Sequence, residues 1–221
     1  MEMNDIIMQP FYQFIQEAHV LLEMPQYVDH DYDVDPRELT YPDKISTQTL
    51  SEQYDYVGEI DAKGVMLELY MQSINTKRYV IGVQKELENS RYKNCIFSLS
   101  LIELNSIDDK IKSLGNEYLS VSLVHCANDN RYSNISTKAY LLLAKMGCVI
   151  ISDELHYKGA KSLWKKLATL GLSKVRVFNQ DSDEFIIGSN DSDIYDGSNI
   201  DESVIWGNSD KMSILLILSS K

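Results

Sequence analysis

The 221-residue chain holds only three cysteines, four prolines and four histidines. An odd cysteine count without metal-type spacing excludes a disulfide framework, so Cys95, Cys126 and Cys148 read as reduced, mostly buried thiols of a cytoplasmic protein. So few histidines and cysteines leave no zinc constellation, and no metal ligand set is assigned. The opening Met1-Glu2-Met3-Asn4-Asp5 lacks the basic region of a secretory signal. Apolar runs are short: Ile214-Leu215-Leu216-Ile217-Leu218 has strand length, far from the roughly 20 residues that cross a bilayer. There is no Walker-type or dinucleotide glycine loop and no Gly-x-Ser-x-Gly elbow, which removes those nucleotide-binding and hydrolase classes. What remains is ordinary, 44% hydrophobic and 24% charged residues, enough for one globular domain with a sizeable core.

Charge is unevenly placed. The net −12 divides into −12 over residues 1–62, +7 over 63–180 and −7 over 181–221. Phosphate contacts dominate nucleic-acid affinity, so the negative total argues against direct nucleic-acid binding. The basic middle, by contrast, suits an anionic ligand.

Hydrophobic periodicity supplies the elements. Ile7, Phe11, Phe14, Ile15, Ala18 and Leu22 share one face of an N-terminal helix that starts near Gln9 and stops before Pro25. Tyr27 to Pro42, with Asp29, Asp31, Asp33 and Asp35, reads as an acidic irregular connection. Short strands follow: Val65–Met71 and Arg78–Gln84 around a hairpin loop, then Cys95–Glu103. Asn105–Gly115 is a polar connection with a helical turn. Tyr118–His125 is the next strand, with Leu119, Val121 and Leu123 expected on one face. Ile135, Ala139, Leu142, Leu143 and Met146 form a helical face closed by Gly147. Cys148-Val149-Ile150-Ile151 has the wholly apolar character of a strand buried on both faces. A second helix carries Ala160, Leu163, Trp164, Leu167 and Leu170, and Lys174–Phe178 is a strand. In the acidic tail, Phe185-Ile186-Ile187 and Val204-Ile205-Trp206 are expected to be strands before a final one over Met212–Leu218. Asp191, Asp193, Asp196 and Gly197 resemble fragments of a calcium loop, without its Asp-x-Asp-x-Asp-Gly spacing or distal Glu. The fold class expected is α/β (α+β), one domain over 1–221. It has a mixed, mostly antiparallel sheet flanked by helices, an N-terminal helix and loop (1–53), a core (54–178) and C-terminal strands (179–221).

The run Tyr118-Leu119-Ser120-Val121-Ser122-Leu123-Val124-His125, the loop through Arg131, the helix to Gly147, the strand at Val149–Ile151 and the helix ending in Leu163-Trp164-Lys165-Lys166-Leu167 resemble the cofactor half of a GNAT-type N-acetyltransferase. Ile151-Ser152-Asp153 to Gly159-Ala160-Lys161-Ser162-Leu163-Trp164 is similar to a phage-encoded GNAT-like variant, which would work in the host cytoplasm. The resemblance covers residues 54–178 in element order and about sixty residues in motif. It implies acetyl-coenzyme A as cofactor, held by Leu123, Val124 and His125 along the strand and by Arg131, Tyr132, Ser133, Asn134, Ile135 and Ser136 in the loop and helix start. Backbone N–H groups and the helix dipole there suit a pyrophosphate. Lys138, Lys158, Lys161, Lys165 and Lys166 add positive charge.

The chain departs from that family's pattern at three places. Asn134 and Ser136 stand at the small positions of the phosphate loop, where glycine lets backbone approach phosphate. Trp164 stands where many members carry a tyrosine acid, and Ser120 where some carry a carboxylate base. If acyl transfer occurs, an amine attacks the thioester, the backbone N–H around Val124 or His125 polarises the carbonyl, and a base takes the amine proton. Glu117, His125 and Tyr157 are the candidate catalytic residues, with Glu68 a further carboxylate; spacing selects none of them. Three readings stay open: acyl-coenzyme A-dependent transfer to an amine, a degenerate binding protein whose acidic ends imitate nucleic acid before a basic protein surface, and an acidic accessory domain whose charge only keeps it in solution.

Overall fold

In the structure, a computed structural model of the chain, residues 44–85, 90–126, 134–152, 158–207 and 213–220 are described. Long alternating strands joined by tight turns build the first half. A short strand β1 (Lys44–Ser46) and helix α1 (Thr47–Gln53) precede the meander β2 (Asp55–Ala62), β3 (Val65–Ile74), β4 (Lys77–Gln84) and β5 (Tyr92–Glu103). The β2–β3 turn is Lys63-Gly64, both at positive φ, with the Gly64 amide donating to Asp61 Oδ1 at 2.6 Å. Asn75, at φ 53°, turns β3 into β4. These left-handed turns match the twist of the flanking strands and fix the antiparallel register. The expected hairpin loop thus shrinks to two residues, since Ile74 already pairs Lys77.

The second half is mixed. It runs α2 (Asp109–Lys112), β6 (Glu117–Cys126), α3 (Ile135–Lys145), β7 (Cys148–Ile151), α4 (Lys158–Leu170), β8 (Lys174–Asn179), β9 (Glu184–Phe185), β10 (Ile194–Tyr195), α5 (Glu202–Trp206) and β11 (Ile214–Ser219). The sheet order is β10-β8-β11-β7-β6-β5-β4-β3-β2, with β1 also on β5 and β9 on β8. Among the described strands β6 and β7 alone pair in parallel. The C-terminal strand β11 inserts between β7 and β8, so the acidic tail is part of the sheet rather than an appendage.

The sheet has two apolar faces. One carries the principal core, where Leu67, Leu69, Phe97, Leu99, Leu119, Ile150 and Leu216 meet Tyr140 and Leu143 of α3, Trp164 and Leu167 of α4, and Ile205 and Trp206 of α5. The other face is covered in two places. Leu50 of α1 seals Ile81, Val83 and Cys95, and Ile111 of α2 seals Val149, Ile151, Phe178 and Ile217.

This architecture corrects the expected fold class. The described residues are 25% helical and 46% strand, an 11-stranded mixed sheet with few helices rather than a GNAT-like sheet flanked by helices. The physical reason lies in the 8- to 12-residue strands from β2 to β6, which pair with their neighbours directly and leave short segments between. On the face opposite α3, the seven-residue α1 and the four-residue α2 are the only helical cover among the described residues. A second correction concerns Val204-Ile205-Trp206, which is helical. Asp201 accepts the Ser203 amide at 2.8 Å as an N-cap and Gly207 ends the helix. The expected N-terminal helix and the acidic connection up to Pro42 lie outside the described residues. No helix among the described residues is long and apolar enough to cross a membrane.

Candidate functional site

The feature that organises the site is the short parallel ladder between β6 and β7. Glu117, Tyr118, Leu119 and Ser120 pair with Cys148, Val149, Ile150 and Ile151, and there the parallel ladder stops. Beyond it the two strands belong to different partners. β6 continues on β5, with Leu123 to Cys126 opposite Ser100 to Phe97. β7 is held to β11: the Ser152 amide donates to the Leu216 carbonyl at 2.8 Å, and the Leu216 amide donates to Ser152 Oγ at 3.0 Å. Ser152 is buried, so these bonds fasten the end of β7 to β11. From Val121 onward no described strand lies on the β7 side of β6. The β7 side of β6 beyond Ser120 is therefore the candidate crevice: α/β sheets bind ligands at the carboxyl ends of their parallel strands.

A β-bulge sits at the mouth of this crevice. Val121 pairs Leu101 and Leu123 pairs Ser100, which leaves Ser122 as the extra residue. The insertion reverses the alternation. Leu119 and Val121 face the principal core, and after the bulge Val124 and Cys126 do. Leu123 and His125 therefore turn to the opposite face, where Leu123 leaves the stripe that the sequence pattern gave it with Leu119 and Val121. His125 is half-buried, and that burial pushes its imidazole below the usual value, towards the neutral form. Directly across the ladder from it stands Ser98 of β5.

On the α3 side, the helix begins at Ile135 after Asn134, whose backbone is left-handed at φ 70° and ψ 13°. Asn134 gives the helix no side-chain cap. Its Oδ1 instead accepts a hydrogen bond from Lys166 Nζ of α4. A lysine is thus held at the positive end of a helix dipole, an arrangement that an anion would relieve. Ile135 is buried in the principal core, while Ser136 is half-buried. Arg131, Tyr132 and Ser133, the rest of the expected cofactor loop, and Tyr157 lie outside the described residues.

The other candidate bases are placed elsewhere. Glu117 is at the opposite end of β6 from His125, eight residues or about 26 Å along an extended strand. It sits on the opposite face and accepts a hydrogen bond from Arg78 Nε at 3.1 Å and one from the Cys148 thiol at 3.6 Å. Arg78 also reaches Glu103 at 2.5 Å. Burial, then the Glu117 charge, pushes the Cys148 thiol up to about 12, so this cluster is an ion-paired structural joint. Glu68, three strands away on β3, accepts hydrogen bonds from Tyr70 at 3.2 Å and from Lys93. The structure thus brings Leu123, Val124 and His125 to the crevice and leaves both carboxylates out of it.

The basic residues of α3 and α4 are largely engaged. Lys138 donates to the Asp61 carbonyl. Lys161 and Lys165 both grip Glu202 of α5, Lys161 at 2.7 Å. Lys161 also stands 5.9 Å from the centre of the Trp206 ring, and the side chain of Lys158 lies outside the described residues. These lysines hold the Glu202 carboxyl at about 2. The calcium-like acids are similarly spent: Asp193 pairs with Arg176 at 2.7 Å, and Asp196 accepts the Ser198 and Asn199 amides.

Sequence reasoning missed Ser152 as a site residue. Its bonds to Leu216 span 64 positions and follow only from the β7–β11 register. Compared with known proteins, the chain matches no family model, no curated protein and no solved structure.

Proposed function

We propose that the chain binds an acyl thioester of the coenzyme A type in the β6–β7 crevice and transfers the acyl group to an amine. The observation that carries this reading is the end of the β6–β7 ladder at Ser120 and Ile151, beyond which no described strand pairs with the β7 side of β6. An extended pantetheine-like chain can lie along the β6 edge in place of a strand, its amides meeting backbone groups as a ladder partner would. The phosphates then fall near the α3 N-terminus and Lys166, where positive potential is concentrated. His125, whose imidazole burial pushes below its usual value, is the candidate base for the amine proton, and the thioester would supply the activated acyl group. Glu117 takes no part, because Arg78 and Cys148 already occupy its oxygens.

For the nucleic-acid mimic, the acids from Asp29 to Asp35 lie outside the described residues, and several of the C-terminal acids are already engaged. Glu202 and Asp193 pair with Lys161, Lys165 and Arg176, while Asp196 and Asp201 cap backbone amides. Carboxylates committed in this way make a poor imitation of an exposed phosphate row. The test is calorimetry with coenzyme A at low and high salt. Saturable binding that weakens with salt supports the reading, and no binding at millimolar cofactor overturns it.

A further inference from the structure

In an antiparallel ladder, the two residues of a hydrogen-bonded pair exchange both of their main-chain bonds. β7 and β11 stand in register at Ile150–Leu218 and Ile151–Ile217, and Ser152 and Leu216 come next. There one of the two bonds changes hands. The Ser152 amide donates to the Leu216 carbonyl at 2.8 Å, as the pattern requires. The Leu216 amide, however, donates at 3.0 Å to Ser152 Oγ instead of to the Ser152 carbonyl. Both residues are buried, so the hydroxyl satisfies an amide that water does not reach. A side chain thus finishes the ladder for the main chain, and β7 ends at Ile151.

This stop has a consequence on the other side of β7. The Leu104 amide donates to the Tyr118 carbonyl at 2.9 Å, so Tyr118 and Ser120 turn their main-chain groups towards β5. Leu119 and Val121, which alternate with them, turn theirs towards β7. In the parallel register of Ser120 with Ile151, the donor for the Val121 carbonyl would be the amide of the residue after Ser152, one position past the stop. We infer that Ser152 is a positioning residue of the crevice. By standing in for its own carbonyl, its hydroxyl ends β7 before that amide can pair. The Val121 carbonyl is thereby kept as the acceptor for an amide N–H of a pantetheine-like chain. The ligand rests on the acyl-thioester reading above, whereas the stop does not.

The experiment uses the isotope-labelled full chain, with through-hydrogen-bond NMR couplings read beside coenzyme A calorimetry. In the unaltered chain the Leu216 nitrogen is expected to show no coupling to the Ser152 carbonyl carbon. In Ser152→Ala the buried Leu216 amide takes the carbonyl of residue 152, β7 lengthens, and the Val121 carbonyl couples to the amide that follows. Coenzyme A then binds on the order of tenfold more weakly, and Ser152→Thr, which keeps the hydroxyl, restores the affinity. Both alanine and threonine variants can lose stability, so affinity and coupling decide rather than melting temperature. A Leu216 coupling to the Ser152 carbonyl in the unaltered chain overturns the inference even where the alanine variant does not fold. Unchanged affinity in Ser152→Ala, or equal weakening in Ser152→Thr, overturns it as well. The two proposals separate cleanly. A Val121 coupling that appears in Ser152→Ala, in a chain that never binds coenzyme A, removes the cofactor and keeps the stop. Coenzyme A binding with no Val121 coupling in Ser152→Ala does the reverse.

Discussion

The two ends of β6 are one strand under two regimes. From Glu117 to Ser120 it pairs with β7, and from Leu119 with β5 as well, and Glu117 is locked into the Arg78, Glu103 and Cys148 cluster. From Val121 to Cys126 the β5 ladder continues, broken once by the Ser122 bulge, and the β7 side has no described strand. An ion-paired cluster therefore marks the structural end, and the half-buried stretch around His125 marks the end proposed for ligand binding. Perturbed carboxylates alone would have pointed to the wrong end, because ion-paired joints and working sites both gather charge.

Four tests would break or sharpen this contrast. The largest effect belongs to the paired end. Leu119 is 0% exposed in the principal core, and Leu119→Ala should lose about 3 kcal/mol in urea unfolding. Leu123→Ala, half-buried beside the crevice, should lose less than about 1 kcal/mol. Equal losses would mean that the bulge does not separate the two leucines. Next, Arg78→Ala leaves two carboxylates facing one another. A buried joint of this kind loses more, but both acids are about a third exposed, so a cost of about 2 kcal/mol is expected, with coenzyme A affinity unchanged. A parallel loss of affinity would tie the joint to the site.

Lys166→Ala should do the opposite, leaving unfolding nearly unaltered and weakening coenzyme A several-fold, with a shallower salt dependence. Unchanged affinity would remove Lys166 from the phosphate end. The smallest effects are in pH. His125 has a lowered folded value, so the unfolded chain takes up a proton first and stability falls as pH drops through the region just below 6.5. Glu202 is held at about 2, so its contribution is complete above about 4.5 and is lost as pH falls towards 2. Thermal melts across pH should show two separate declines, the upper one flattened in His125→Gln and the lower one in Glu202→Gln.

Much of this was legible from local pattern. The apolar β7, the α3 face closed by Gly147 at φ 97° and the core position of Trp164 all follow from periodicity and a glycine stop. Tyr140, fully buried against Trp164 with ring centres 6.0 Å apart, lay outside that pattern because its polar tip hides a large apolar ring. Val204-Ile205-Trp206 was misleading for the reverse reason. Two β-branched residues suggest a strand, yet Asp201 and Gly207 bracket the segment as helix caps, and that signal was present in the sequence. The site itself was only half visible. The strand and helix that bear it show in periodicity, whereas the bulge and the β7–β11 attachment through Ser152 depend on register between distant segments.

The charge pattern changes meaning as well. The basic α4 and the acidic C-terminal segment meet through Lys161, Lys165 and Glu202, so part of the segregation along the chain is cancelled in space. The lysine left beside the α3 N-terminus is Lys166, hydrogen-bonded to a neutral amide.

The most direct test of the crevice is an amide NMR titration with coenzyme A. Resonances of Val121 to Cys126 and of the first turn of α3 should shift together, while Glu117 to Ser120 stay in place. Shifts confined to Glu117–Ser120, or spread over α4 without touching Val121 to Cys126, would contradict the account.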